Sequence, residues 1–230
     1  MTTSARHDSK HGQNMVILPL ENGDRLTRVE FERRYQAMSN LKKAELIEGT
    51  VFIMASPVRH RSHGQPHAYI MTWLGTYLAA TPGIEIGDNV TVRLDADNEP
   101  QPDALLRLEQ GGRSTVSVDD YIEGAPELIV EIAASSAAID LHDKKKVYRR
   151  NGVQEYIVWQ VLENKLDWFS LENSEYISVC QDENGVIKSL VFPGLWLDVN
   201  ALLTGNLAQV FAVLQQGLQS QEHQDFITRN

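Results

Sequence analysis

The sequence predicts a single α/β (α+β) domain with a central mixed sheet flanked by helices. Three observations point there. Apolar positions alternate between helical spacing and strand alternation along the chain. The helical and strand-like segments are interleaved in mixed order, which suits one layered domain. The 230 residues, 42% hydrophobic and 23% charged, have ordinary globular composition and are enough for one large core. No internal repeat is found.

Residues 1–23 are polar apart from Met15-Val16-Ile17-Leu18 and read as a loosely held arm. Thr27 followed by Glu30 is a capping-box pattern, opening a helix through Phe31 and Tyr35 to about Met38. Ala44 to Met54 reads as a hairpin turning at Glu48-Gly49. Ile70, Trp73, Leu74, Tyr77 and Leu78 recur at helical spacing, and Thr81-Pro82-Gly83 stops that helix. Trp73 and Tyr77 lie on its apolar face and read as core. Ile84 to Leu94 is strand-like, and Ala104 to Leu108 is a short strand. Leu128-Ile129-Val130-Glu131-Ile132 is a continuous, largely β-branched run, as a buried strand requires. Ile139 to Asn151 is helical, and Gly152 ends it in the manner of a C′ glycine. Segments 155–159, 165–170 and 176–179 form a meander, and Leu207, Val210, Phe211, Leu214 and Leu218 make a closing amphipathic helix. One domain is expected over 24–218, with a polar, frayed tail over 219–230.

Net charge is −10 with a pI near 5.1, which argues against a protein that coats nucleic acid and leaves room for a local basic cleft. Cys180 is the only cysteine, so an intrachain disulfide and a cysteine-based zinc site are excluded. The start lacks an apolar leader pattern and no apolar run reaches membrane-spanning length, so a reduced, cytoplasmic compartment without membrane contact is expected. A Walker phosphate loop and a G-x-S-x-G elbow are absent. Ser135 and Ser136 read as caps of the next helix and not as nucleophiles, since no histidine is well placed by sequence.

The chemistry rests on acids. Asp103 opens a strand directly after Pro102, and Glu131 sits inside an apolar strand, where a carboxylate is costly unless paired or metal-bound. Strand alternation puts Glu131 on one face with Ile129 and Ala133, and Leu128, Val130 and Ile132 on the other. If the two strands are neighbours, Asp103 and Glu131 converge on one Mg²⁺ or Mn²⁺. Lys144, about one turn into the next helix, reaches back to orient water or offset phosphate charge. Asp140, four residues earlier, suits a helix-start or salt-bridge role. Taken singly, Pro102-Asp103 is a common turn dipeptide, Glu131 fits a buried salt bridge, and the run Lys144, Lys145, Lys146, Arg149, Arg150 fits a solvated helix face. That run is also the clearest locally positive segment and suits a phosphate backbone. His60, His63 and His67 form a cluster whose helical register is broken by Pro66 and weakened by Gly64, which speaks against a dedicated histidine metal site.

Several pieces in order carry a family resemblance: Glu45-Leu46-Ile47-Glu48-Gly49, Ser56-Pro57 with His60, Pro102-Asp103, Pro126 to Ile132, Asp140 to Lys144, and Tyr148 to Tyr156. The chain resembles the PD-(D/E)XK nuclease superfamily and, more narrowly, the Uma-type family of restriction-endonuclease-like proteins, over roughly residues 25 to 200. The resemblance implies an αβββαβ core with an added C-terminal β-meander and helix. It implies Asp103 and Glu131 as metal ligands, Glu45 as an additional acid, and Arg59, His60 or Arg61 as phosphate contacts beside the active face. The superfamily's common lysine position, two residues after the second acid, is Ala133 here. The chain is similar to members in which the lysine has moved to the following helix, at Lys144. The expectation is a metal-dependent endonuclease acting on nucleic acid, DNA foremost, with a homodimer suited to cutting two strands. Lys145 and Arg149 are expected to contact the backbone. The alternative is a catalytically silent nuclease-fold module that binds nucleic acid or a protein partner.

Overall fold

The computed structural model describes residues 17–54, 57–134 and 136–229. Most of the expected N-terminal arm, including Met15 and Val16, lies outside them, as do Ser56 and Ser135. The chain opens with α1 (Arg28–Gln36) and the hairpin β1 (Ala44–Ile47) and β2 (Thr50–Ile53). A π-helical turn over His60–Gly64 leads into α2 (Gln65–Ala79). Next come β3 (Ile84–Asp88), β4 (Val92–Arg93), β5 (Ala104–Leu108), β6 (Ser114–Val116), β7 (Ile122–Gly124) and β8 (Leu128–Ala133). A second π-helical turn over Ile139–Lys144 runs into α3 (Lys145–Asn151). Then follow β9 (Glu155–Gln160), β10 (Lys165–Glu172), β11 (Glu175–Ser178), β12 (Val186–Lys188) and β13 (Trp196–Asp198). The chain closes with α4 (Val199–Leu203), α5 (Leu207–Leu218) and α6 (Gln221–Arg229).

The central sheet has the order β11-β10-β9-β8-β5-β3. Only β8 and β9 pair in parallel, joined by the crossover that carries α3, so the sheet is mixed as expected. Its two faces divide as strand alternation requires. Leu128, Val130 and Ile132 pack with Ile70, Trp73, Leu74 and Tyr77 of α2. Ile129 and Ala133 face Tyr148 of α3, together with Tyr156 and Val158. Each fully buried apolar side chain of this kind stabilises the fold by roughly 1.5–3 kcal/mol.

Local signals explain several boundaries. Glu48 and Gly49 both take positive φ, 51° and 69°, so the β1–β2 hairpin turns through the tight two-residue form whose twist matches the strands. Gly152, at φ 85°, ends α3 with Val153 N–H donating to Tyr148 O at 3.0 Å, a Schellman closure.

Four expectations are corrected. Thr27 makes no side-chain cap to α1, and the Glu30 carboxylate is held by Arg33 and Arg34, so the capping box does not form. The strand expected over Ile84 to Leu94 is two strands: Asn89 takes φ 53°, and Val92 pairs in parallel with Ile122 in a separate three-stranded sheet. The tail over 219–230 contains a helix instead of a frayed end. Its His223 is buried, with Nδ1 2.9 Å from Leu218 O and Nε2 3.0 Å from Thr81 Oγ1. Pro66 does not break the histidine register, since it occupies the first turn of α2, where an N–H is not needed. Among the described residues no helix is long and apolar enough to cross a membrane.

Candidate active site

β5 and β8 pair antiparallel with Ala104 opposite Val130. One further step in that register sets Asp103 opposite Glu131. Opposed side chains share a face with Cβ atoms roughly 5 Å apart, so two carboxylates more than a strand's length apart in sequence become neighbours. Glu131 lies on the face covered by α3 and the turn before it. Lys144 comes down from that turn: its Nζ donates to Glu131 Oε1 at 2.9 Å and to Glu45 Oε1 at 2.9 Å, and lies 3.6 Å from Asp140 Oδ1. One turn further, Tyr148 Oη donates to Glu131 Oε1 at 2.8 Å. β1 supplies Glu45, whose Oε1 also accepts from Gln101 N at 2.7 Å. Asp103 Oδ2 accepts from Ile132 N at 2.7 Å, locking the β5 end to β8.

Glu45, Asp103, Glu131 and Asp140 are each at least 96% buried, and Lys144 is 3% exposed. Four buried carboxylates and the one ammonium that three of them contact sum to a formal −3 if all are ionised, which a protein interior does not tolerate without compensation. The titrations reflect this. Burial pushes Glu131 up to about 8 against the pull of Lys144, with Asp140, Asp103 and Glu45 adding to the rise. Burial likewise raises Asp140. Burial works against the Lys144 ammonium, but Glu131, Glu45 and Asp140 outweigh it and hold it well above its ordinary value. The ammonium is therefore fixed, and the variable proton belongs to the acid cluster as a unit.

The cluster forms the floor of a cleft of about 760 Å³ whose walls include Lys43, Arg59, His63, His67 and the apolar Met54, Val58 and Leu162. Of the expected phosphate contacts, Arg59 lines this cleft; His60 and Arg61 are exposed beside it. Lys145 lies elsewhere, with Nζ 3.3 Å above the Phe169 ring. Arg149 is also elsewhere, donating to Ser174 O and paired with Glu175 at 2.7 Å. The sequence reading missed Tyr148, although its i+4 spacing from Lys144 was a usable signal. It also underrated His63, whose Nε2 lies 3.5 Å from Asp103 Oδ1.

Among the described residues no group of three or more His, Cys, Asp or Glu side chains is preassembled as a metal site. Lys144 stands between three of the acids and takes that place. The donor set nonetheless fits a hard divalent cation, which binds carboxylate oxygens. Among the described residues Asp103 Oδ1 has only long ion-pair contacts, 3.5 Å to His63 and 4.0 Å to Lys43, both on the cleft wall. Glu45 Oε2 is buried without a hydrogen-bond partner among the described residues, an orphan acceptor that a cation or its water shell satisfies.

Residues 28–200 match the protein family described as "Putative restriction endonuclease", Uma2. A crystal structure described as "a putative nuclease belonging to DUF820 from Anabaena variabilis ATCC 29413" superposes with a TM-score of 0.58 at 12% identity, over 75% of this chain and 96% of that one. At that identity the likeness is one of fold. No curated protein matches the chain. The family match covers the αβββαβ core, the hairpin bearing Glu45 and the crossover bearing Lys144, so this chain belongs to the Uma2 family of restriction-endonuclease-like proteins.

Proposed function

We propose that the chain hydrolyses phosphodiester bonds in nucleic acid, with DNA the expected substrate, as a metal-dependent endonuclease of PD-(D/E)XK type. The observation that supports this reading is the gathering of four buried acids at the floor of a cleft, three of them on one ammonium. Asp103 and Glu131 would hold one Mg²⁺ or Mn²⁺, with Glu45 assisting through its unpartnered Oε2. Such an ion supplies charge neutralisation on the phosphate and a more acidic water. Lys144 offsets part of the charge of the neighbouring acids and fixes their side chains, and its ammonium orients the attacking water or offsets charge on the scissile phosphate. Tyr148, fully buried, holds the Glu131 carboxylate in place through its hydroxyl. Arg59 and Lys43 on the cleft wall suit phosphate contacts, and His60 and Arg61 beside it would contact the backbone further out, whereas Lys145 and Arg149 are engaged away from the cleft.

Asp103→Asn and Glu131→Gln remove charge while keeping shape. Each is expected to reduce Mn²⁺-dependent cleavage of plasmid and oligonucleotide DNA to background while the circular dichroism and melting curves stay native. Cleavage persisting in both variants would assign the activity elsewhere. Ala133 at the superfamily's lysine position motivates the second reading, a silent nuclease-fold module. Calorimetry decides between the two, because wild type that takes up no Mn²⁺ favours the module. A two-fold homodimer is the assembly we propose for cutting both strands, and light scattering on the purified chain tests it.

A further inference from the structure

We propose that His63 is a nitrogen ligand of the cation held by Asp103 and Glu131, so that the site favours Mn²⁺ and its transition-metal neighbours over Mg²⁺. This rests on the metal reading above and adds to it a donor of a different class. Two cis ligands, each about 2.1 Å from one octahedral ion, stand roughly 3 Å apart. His63 Nε2 lies 3.5 Å from Asp103 Oδ1, within half an ångström of that span before any ion draws them together.

The surroundings hold the imidazole in that place. His63 stacks on His67 with centroids 5.9 Å apart and planes 8° from parallel. His67 in turn has Nε2 3.0 Å from the backbone oxygen of Asp103 and 3.1 Å from Asp88 Oδ1. One residue thus braces both the ring and the strand that carries the facing carboxylate, as outer partners of metal sites do. His63 also sits in the π-helical turn that opens α2, and such turns concentrate at functional sites. Only His63 of the three histidines has its ring against an acid of the cluster: His67 is tied to Asp88 and to backbone, and His60 is exposed. Imidazole is a borderline donor that suits first-row transition metals, whereas Mg²⁺ prefers oxygen and water.

Electron spin-echo envelope modulation of Mn²⁺ bound to the full chain tests the proposal. Wild type should show nitrogen coupling, and protein made with ¹⁵N-labelled histidine should show the ¹⁵N pattern in its place, a result that needs no variant. His67→Gln should keep the coupling and His63→Gln should lose it. Calorimetry should show Mn²⁺ binding weakened by about tenfold or more in His63→Gln, with Mg²⁺ binding changed less. Bound Mn²⁺ without nitrogen coupling, or coupling that survives His63→Gln, overturns the assignment and leaves an oxygen-only cation site, His63 then being an ion-pair partner of Asp103. Wild type that binds no Mn²⁺ overturns both this assignment and the metal reading beneath it.

Discussion

Replacing Lys144 by Met keeps most of the side-chain volume and removes the ammonium that bridges three of the four buried acids. The acids cannot all remain ionised in the interior, so the variant folds only by binding at least one proton more than wild type. Binding it costs about 1.4 kcal/mol for each pH unit above the ordinary carboxylate value near 4.3. The loss is thus about 1 kcal/mol at pH 5 and ~5 kcal/mol at pH 8 for a single proton. The upper figure agrees with the ~3–5 kcal/mol typical of breaking a buried ion pair. The direction follows from a carboxyl whose folded value is raised: stability is intact below its unfolded value and is lost as pH rises towards the folded one. Urea denaturation of wild type and Lys144→Met at pH 5, 6.5 and 8, with EDTA present, measures the gap directly. A gap that is absent at pH 8, or the same at every pH, would refute Lys144 as the counter-charge of this cluster.

Glu155 gives a second pH test away from the cleft. Burial pushes its carboxyl up to about 7, against hydrogen bonds donated by Ser189 Oγ at 2.6 Å and Leu190 N at 2.7 Å. Wild type should therefore lose about 3 kcal/mol relative to Glu155→Gln as pH rises from about 4.5 to above 7, and a pH-independent difference in urea midpoints would sink the idea. Gly152→Ala should destabilise by about 1–2 kcal/mol, because φ 85° is unfavourable for any side chain and the new Cβ would lie 2.5 Å from Arg113 Nη1. Thermal unfolding checks it, and an unchanged melting temperature would mean that the Schellman closure of α3 contributes nothing.

The sequence was most legible where one local rule determined the outcome. Alternation alone assigned Glu131 and Ile129 to one face and Val130 to the other, and the positions of Gly49 and Gly152 marked the hairpin turn and the end of α3. Burial of Glu131 was readable because a charge in a β-branched run needs a reason. Its actual partners were not: Glu45 reaches Lys144 across 99 residues of sequence, a contact that only the folded sheet creates. β6, β7, β12 and β13 have three residues each, too few for a period to emerge. α6 hid behind polar composition, since His223 alone among its residues is buried. His63 was discounted because Pro66 looked like a break, and the same proline turned out to suit the first turn of α2.

The two π-helical turns have a consequence for how this chain tolerates change. Each holds one extra residue in its ring, so removing a residue there relaxes the turn to ordinary α geometry and leaves the flanking segments close to their original facing, whereas the same deletion in a regular helix rotates one side against the other by about 100°. A one-residue deletion within Ile139–Lys144 that spares Asp140 and Lys144 therefore leaves α3 unshortened and keeps both side chains facing the acid cluster, while a deletion between Lys144 and Tyr148 in α3 turns those two apart. Surveyed by deletion scanning, those two short stretches should be the places in their helices where losing one residue is best tolerated, provided that the residue lost is not His63, Asp140 or Lys144.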